Sequence, residues 1–323
     1  MASGRMTNAR LVFALASALA AGAVCGADGP PEWAYPVNPP GFKAKPDDGV
    51  PRRVEGSSAT YMLPQLRDRF ISPVWHPGEH PPQPEVVAHG RKPDVFACGF
   101  CHRADGPGGP ENANLAGHSA AYLLQQMADY KSGARRTSVP GRNVDLMISL
   151  AKAATDAEVK AAAAYFSALK TRAVIRVVEG DSIPRTFVTG WHFTVIGKGE
   201  QEALGQRIIE VPEVYEQFEN RDTHSRFIAY VPPGSVEKGR ALAASGGGGK
   251  TVQCATCHGQ ELKGVGAIPG IAGRSPTYLF RQLYDFKHGA RKGTQSPQMM
   301  PTVEKLAIED MIALAAYAAS LAP

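Results

Sequence analysis

The chain has 323 residues, room for two or three domains, with an apolar content of 43% that is ordinary for a globular protein and 26 Pro and 34 Gly that imply much loop and turn. Its formal charge of +5 falls to +3 once residues 1–27, which hold Arg5, Arg10 and no acid, are set aside. That balance gives no argument for a nucleic-acid partner, and basic patches are assigned instead to pairing with acidic groups or steering a partner protein.

Residues 1–27 read as a secretory signal peptide: a positive start at Arg5 and Arg10, an apolar stretch Leu11–Val24 too short to span a bilayer, then small residues with cleavage after Ala23 or Ala27. The competing reading acylates Cys25, although Val24 is a poor residue to precede a lipidated cysteine. Residues 28–84 are a Pro-rich arm, with Pro30-Pro31, Pro39-Pro40 and Pro81-Pro82 excluding long helices and central strands. Trp33, Tyr35, Phe42, Tyr61, Phe70 and Trp75 are too many aromatics for a disordered tail, so the arm is expected to lie over the surface of a folded unit, with one short helix near Leu63–Phe70.

Residues 85–172 form a first unit. A short helix runs from Pro84 toward His89, followed by Cys98-Gly99-Phe100-Cys101-His102, a C-x-x-C-H signature that reads as covalent attachment of a c-type haem through both thiols with the His as axial ligand. A Gly/Pro loop (106–110) precedes a helix over Ser119–Lys131 with Tyr122, Leu123, Gln126, Met127 and Tyr130 on one stripe. Thr155 is an N-cap for a closing helix through Leu169, with Asp156 and Glu158 suiting its dipole. Residues 173–232 change character: Val174–Val178, Phe193–Ile196, Arg207–Val211 and Phe227–Tyr230 are β-rich and separated by turn residues, a small β-containing insertion. Residues 233–323 form a second unit, with a helix near Val236–Ala244, a second signature Cys254-Ala255-Thr256-Cys257-His258, a helix over Pro276–His288, and an apolar helix over Ala307–Leu321 that reads as core. The two C-x-x-C pairs lie far apart in sequence and both carry the His, which argues against a zinc ribbon or a thioredoxin-like pair.

The two units are internal copies. Leu115-Ala116-Gly117, Tyr122-Leu123, Gln126, Asp129 and Gly133-Ala134-Arg135 recur at a constant offset of 156 as Ile271-Ala272-Gly273, Tyr278-Leu279, Gln282, Asp285 and Gly289-Ala290-Arg291. Toward the C-terminal end the offset becomes 152, pairing Ala164-Tyr165 with Ala316-Tyr317 and Met147 with Met299. A Met at the same place in both copies reads as the second axial ligand of each iron, a soft thioether that favours the ferrous state. Met300 aligns with Ile148 and Met127 with Leu283, so neither repeats. Arg135 and Arg291 are candidates to bind haem propionates, His118 is read as a surface or propionate contact, and His192 and His224 as structural residues of the insertion.

With these motifs in place the chain resembles a dihaem c-type cytochrome, with tandem class I cytochrome c domains like those of the cytochrome c4 group, over residues 85–172 and 233–323. The resemblance implies a mainly α fold, three to four helices around each of two covalently attached haem c groups, periplasmic location and electron transfer. It also implies that a Pro after the haem motif presents its carbonyl to the axial His. Pro269 occupies that place, and Ala113 is its counterpart in the first unit. The arm and the insertion lie outside the cytochrome c4 pattern.

The expected function is an electron carrier between redox partner proteins, with axial pairs His102/Met147 and His258/Met299 and thioether bonds at Cys98, Cys101, Cys254 and Cys257. A filled coordination sphere implies no bond chemistry and hence no enzyme. The alternatives are a cytochrome subunit of a periplasmic dehydrogenase, with peripheral association to a membrane complex, or a dihaem peroxidase, which needs one displaceable ligand, for which Met147 is the candidate.

Overall fold

The computed structural model describes Met1 and residues 29–141, 143–197 and 199–323. The signal-peptide reading and the acylation reading of Cys25 lie outside the described residues.

In the arm, α1 (Leu63–Arg67) is the one short helix anticipated. The first unit then runs through α2 (Glu85–Ala88), α3 (Cys98–His102), α4 (Ala120–Ser132), α5 (Asn143–Ala153) and α6 (Asp156–Ala168). Local chemistry sets these boundaries. The Ser119 hydroxyl accepts the Tyr122 amide at the start of α4, and Gly133 closes that helix in the left-handed conformation at φ 73°. Thr155 and Glu158 form a reciprocal capping box on α6. Met147 lies on the 11-residue helix α5, where the sequence indicated no element.

The insertion contains β1 (Ile175–Glu179), β2 (Ser182–Pro184), β3 (Thr186–Thr189), β4 (His192–Val195), β5 (Gln201–Ala203), β6 (Ile209–Pro212), α7 (Tyr215–Glu219) and β7 (Phe227–Val231). Its main sheet has the order β1-β7-β6, with β1 parallel and β6 antiparallel to β7, while β2–β5 and β3–β4 form two antiparallel ribbons. The second unit follows as α8 (Ser235–Ser245), α9 (Ala255–His258), α10 (Pro276–Lys287), α11 (Ser296–Val303) and α12 (Ile308–Ser320). The long α8 crosses α12, whereas its counterpart in the first unit is only the four-residue α2.

The arm is less superficial than its sequence indicated. Trp33 packs on Phe280 with ring centroids 4.5 Å apart, Tyr35 donates to Asp285 at 3.0 Å, and Ala34 and Tyr35 join the core of the second unit. Farther along, Trp75 is 1% exposed and donates its indole N–H to the Asn220 carbonyl at 2.7 Å, joining the arm to the insertion. Between its ends the arm is open, with Val37, Phe42 and Val50 exposed. The insertion docks on the second unit through Glu210, whose Oε2 accepts Ser275 and Thr277 hydroxyls at 2.6 Å each at the head of α10. Burial holds that carboxyl above its ordinary range. Among the described residues no helix is long and apolar enough to cross a membrane.

Candidate haem sites

Both C-x-x-C-H motifs open into one cavity of about 340 Å³. Cys98, Cys101, His102 and Met147 line one end, and Cys254, Cys257, His258 and Met299 the other. Met127 also lines it. Met300 does not and stands 38% exposed.

Each histidine is oriented in the same way. His102 Nδ1 meets the Ala113 carbonyl at 2.8 Å, and His258 Nδ1 meets the Pro269 carbonyl at 2.8 Å. The acceptor is backbone, so the Ala113 departure from Pro leaves the contact intact. In both places Nδ1 carries the proton and Nε2 is left as the lone-pair nitrogen. Burial pushes both imidazoles below their ordinary pKa, which keeps them neutral as a metal ligand must be. The cysteines move the other way: burial raises the Cys98 thiol to about 12 and raises Cys101 and Cys254 as well, the reverse of a reactive dithiol. Among the described residues no cysteine joins a set of three metal-donor side chains within 4.8 Å of one another.

The repeat is also visible in the packing. The amide of Gly117, at φ 71°, donates to the Phe166 carbonyl at 3.1 Å, and that of Gly273, at φ 65°, donates to Ala318 at 2.8 Å. Each ties the loop before the middle helix to the closing helix. Thr302 Oγ1 lies 3.7 Å from Met299 Sδ and donates to the Met299 carbonyl at 2.6 Å, steadying that side chain on α11.

Where the units meet, the two copies exchange partners. Arg135 donates to Gln126 of its own unit at 2.8 Å and to Tyr278 and Gln282 of the other at 2.7 and 3.1 Å. Arg291 mirrors it, donating to Gln282 at 2.9 Å and across to Gln126 and Tyr122 at 2.9 and 3.3 Å. Around them the backbone pairs, Arg136 N to Ala290 O and Lys292 N to Ala134 O, both at 2.9 Å. Asp129 and Asp285 repeat the exchange by accepting Thr294 and Ser138 from the opposite unit. Both arginines line the cavity and are buried, yet among the described residues neither forms an ion pair with a protein carboxylate. Buried cations facing a cavity suit an anionic group there. The sequence marked these two arginines but assigned no role to Tyr122, Gln126, Tyr278 or Gln282, although their repetition at the same offset was the available signal. His118 is 8% exposed and lines the cavity beside Tyr122, so it is not a surface residue, and burial holds its pKa well below the ordinary value.

The two attachment motifs differ in cover. Ala255, Thr256 and Cys257 are exposed, as are Val252 at 50% and Val265 at 60% beside them. Gly99, and residues 102–106 after the first motif, are buried. The insertion supplies much of that cover. Arg221 donates to the Phe100 and Leu66 carbonyls at 2.6 Å each and lies over the Phe100 ring at 3.7 Å, and Arg103 donates to the Phe218 carbonyl at 3.3 Å. No sequence pattern announced Arg221 or Arg103; both adopt positive φ, at 58° and 66°.

The family model for cytochrome c matches residues 90–170 and 236–322, together just over half of the chain. The chain belongs to the cytochrome c family. Two such domains with covalently bound haem c make it a dihaem electron-transfer cytochrome with the tandem arrangement of the cytochrome c4 group. It is 27% identical over 237 residues to a thiosulfate dehydrogenase electron acceptor of Stutzerimonas stutzeri, a match covering 72% of this chain and 82% of that one. It is 25% identical over 228 residues to cytochrome c4 of Pseudomonas aeruginosa, covering 68% and 81%. Among solved structures, thiosulfate dehydrogenase from Marichromatium purpuratum aligns at 26% identity and a TM-score of 0.49, over 72% of this chain but only 38% of that one.

Proposed function

We propose that this cytochrome carries electrons in the periplasm between redox partner proteins through two six-coordinate haems. The axial pairs are His102/Met147 and His258/Met299, and the thioethers form at Cys98, Cys101, Cys254 and Cys257. Haem supplies the one-electron ferric/ferrous couple. The observation that carries this reading is the duplicated arrangement of a His fixed through Nδ1 to a backbone carbonyl and a Met on the wall of the same cavity. Arg135 and Arg291, buried and without a protein carboxylate among the described residues, offer charge to the propionates where the units meet. The chain's remaining work is to exclude water and hold these side chains still, since electron exchange is fastest when little rearranges. The exposed second motif is the port for a partner, while the first is covered by Arg221, Phe218 and the arm.

Methionine-ligated ferric haem has a red charge-transfer absorption. Met147→Ala and Met299→Ala are each expected to remove about half of it, and the double variant all of it. A band that survives both substitutions overturns the ligand assignment.

A second reading makes the chain the electron-accepting subunit of a dehydrogenase, as one of its relatives is named. It is supported by apolar side chains left exposed on the insertion: Phe187 at 43% and Val195 at 37% on the β3–β4 ribbon, with Val214 at 48% and Tyr215 at 38% nearby. Recovery from native periplasm with a larger catalytic subunit favours this reading, and recovery as a free holoprotein counts against it.

A further inference from the structure

Two histidines outside both haem units come together where the arm meets the insertion. His76, on the arm, stacks on His224, from the insertion, with ring centroids 3.8 Å apart and planes 10° from parallel. Each ring has its own carboxylate. His76 Nε2 lies 3.1 Å from Asp222 Oδ1, and His224 Nε2 lies 2.8 and 2.9 Å from the two oxygens of Glu79. Taking one donor atom from each, His76, Glu79 and His224 converge within 4.8 Å. Among the described residues this is the one such set.

We propose that His76, Glu79 and His224 form a binding site for a divalent transition-metal ion of the zinc or copper type, separate from the haem irons. Two imidazoles and a carboxylate, with water completing the sphere, are the donors such ions select, whereas calcium calls for a cage of oxygens. Asp222 is 2% exposed and already fixes the His76 ring through Nε2, the carboxylate–histidine arrangement that usually backs a metal ligand. Asp222 Oδ1 also accepts the His224 backbone amide at 3.0 Å, so one carboxylate positions both histidines. Near-parallel rings cannot aim two lone pairs at one ion, so one ring must turn. His76 is buried, and His224, with 40% of its side chain exposed, is the one free to do so. As it turns, Glu79 exchanges its hydrogen bond to His224 for a bond to the metal. Glu79 is likewise accessible, at 42%, and is held in place by Arg172 Nη1 at 3.5 Å.

The site joins two segments that both lie outside the family match, which spans 90–170 and 236–322. Arg172 extends the link inward: it donates to Asp105, in the buried loop after the first haem motif, and to the Thr223 carbonyl at 2.7 Å. A bound ion therefore clamps the arm onto the insertion over the covered haem.

The test uses the holoprotein, freed of loose metal by chelator dialysis and titrated calorimetrically with Zn²⁺, Cu²⁺ and Ca²⁺. The expected result is one saturable Zn²⁺ or Cu²⁺ per chain and none for Ca²⁺. His224→Ala and Glu79→Gln should each weaken binding by more than about tenfold, since even outer-shell partners of a ligand are worth that much. His288→Ala, an exposed histidine elsewhere, should leave binding unchanged. Zinc should also slow proteolysis of the arm in the wild type and not in His224→Ala. Unaltered haem spectra in both variants separate loss of the site from loss of fold. Absence of one-to-one binding, or binding that survives the His224→Ala, Glu79→Gln double substitution, overturns the proposal.

Discussion

Gly239 offers a test in which two effects of opposite sign compete. It sits within α8 where that helix crosses α12. A β-carbon there would run into the carbonyl oxygen of Ala313 and lie 2.6 Å from its carbonyl carbon and 2.7 Å from Cβ of Tyr317, against the 3.4 Å at which ordinary contact begins. Helix propensity favours Gly239→Ala by about 1 kcal/mol. Packing opposes it. The obstacle is backbone, and α12 cannot retreat from it because Met311, Ile312, Ala315 and Ala316 on it are at most 1% exposed. Overpacking of that kind costs about 1–3 kcal/mol, and a rigid neighbour puts it at the upper end. The expected net effect is therefore a loss of about 2 kcal/mol. Guanidinium denaturation of the holoprotein, followed by far-ultraviolet circular dichroism, measures it. Ala241→Gly, at an exposed position of the same helix, isolates propensity and should cost about 1 kcal/mol. A Gly239→Ala protein as stable as wild type, or more so, would refute the close-crossing argument.

Further outcomes can be checked in the same way. Asp310 is 1% exposed; burial pushes its pKa up, but hydrogen bonds from Lys250 at 2.6 Å and Lys238 at 3.0 Å outweigh that and hold it at about 2. Its carboxylate therefore contributes about 2 kcal/mol above the ordinary value of 3.8, lost as pH falls toward 2. Asp310→Asn should be less stable at neutral pH and show a shallower acid transition; an unchanged acid slope contradicts the pairing. Arg291→Leu removes the bonds to Gln126 and Tyr122 across the units and to Gln282, and although Arg135 still serves both glutamines, the units should lose about 1–3 kcal/mol of coupling, read as a lower calorimetric melting temperature. Amide exchange should be slow over residues 102–110 and fast over 259–266, and equal protection would refute the unequal cover of the two motifs. Met300→Leu should leave the red absorption band intact, in contrast to Met299→Ala.

Much of this cytochrome is legible in one dimension because its chemistry is local. A C-x-x-C-H motif carries its own attachment geometry, the Thr155–Glu158 capping box and Ser119 cap act within four residues, and the matched Met147 and Met299 emerge from the repeat. The longer helices α4, α6, α8, α10 and α12 consequently fall within a residue or two of where the sequence places them, whereas α1 ends three residues earlier than expected and α5, α7 and α11 were not anticipated: Pro140 lies just before α5, and Pro297 and Pro301 lie within α11. The tertiary structure alone decided what depends on distant partners. Arg135 and Arg291 reach across units separated by 156 residues, Trp33 and Tyr35 enter the core of the last domain, and Arg221 covers an attachment motif more than a hundred residues earlier. Such contacts leave no local periodicity, because each joins groups far apart in the sequence. The motifs therefore announce two equivalent haem sites, and long-range packing makes them unequal by burying the first and leaving the second open to solvent.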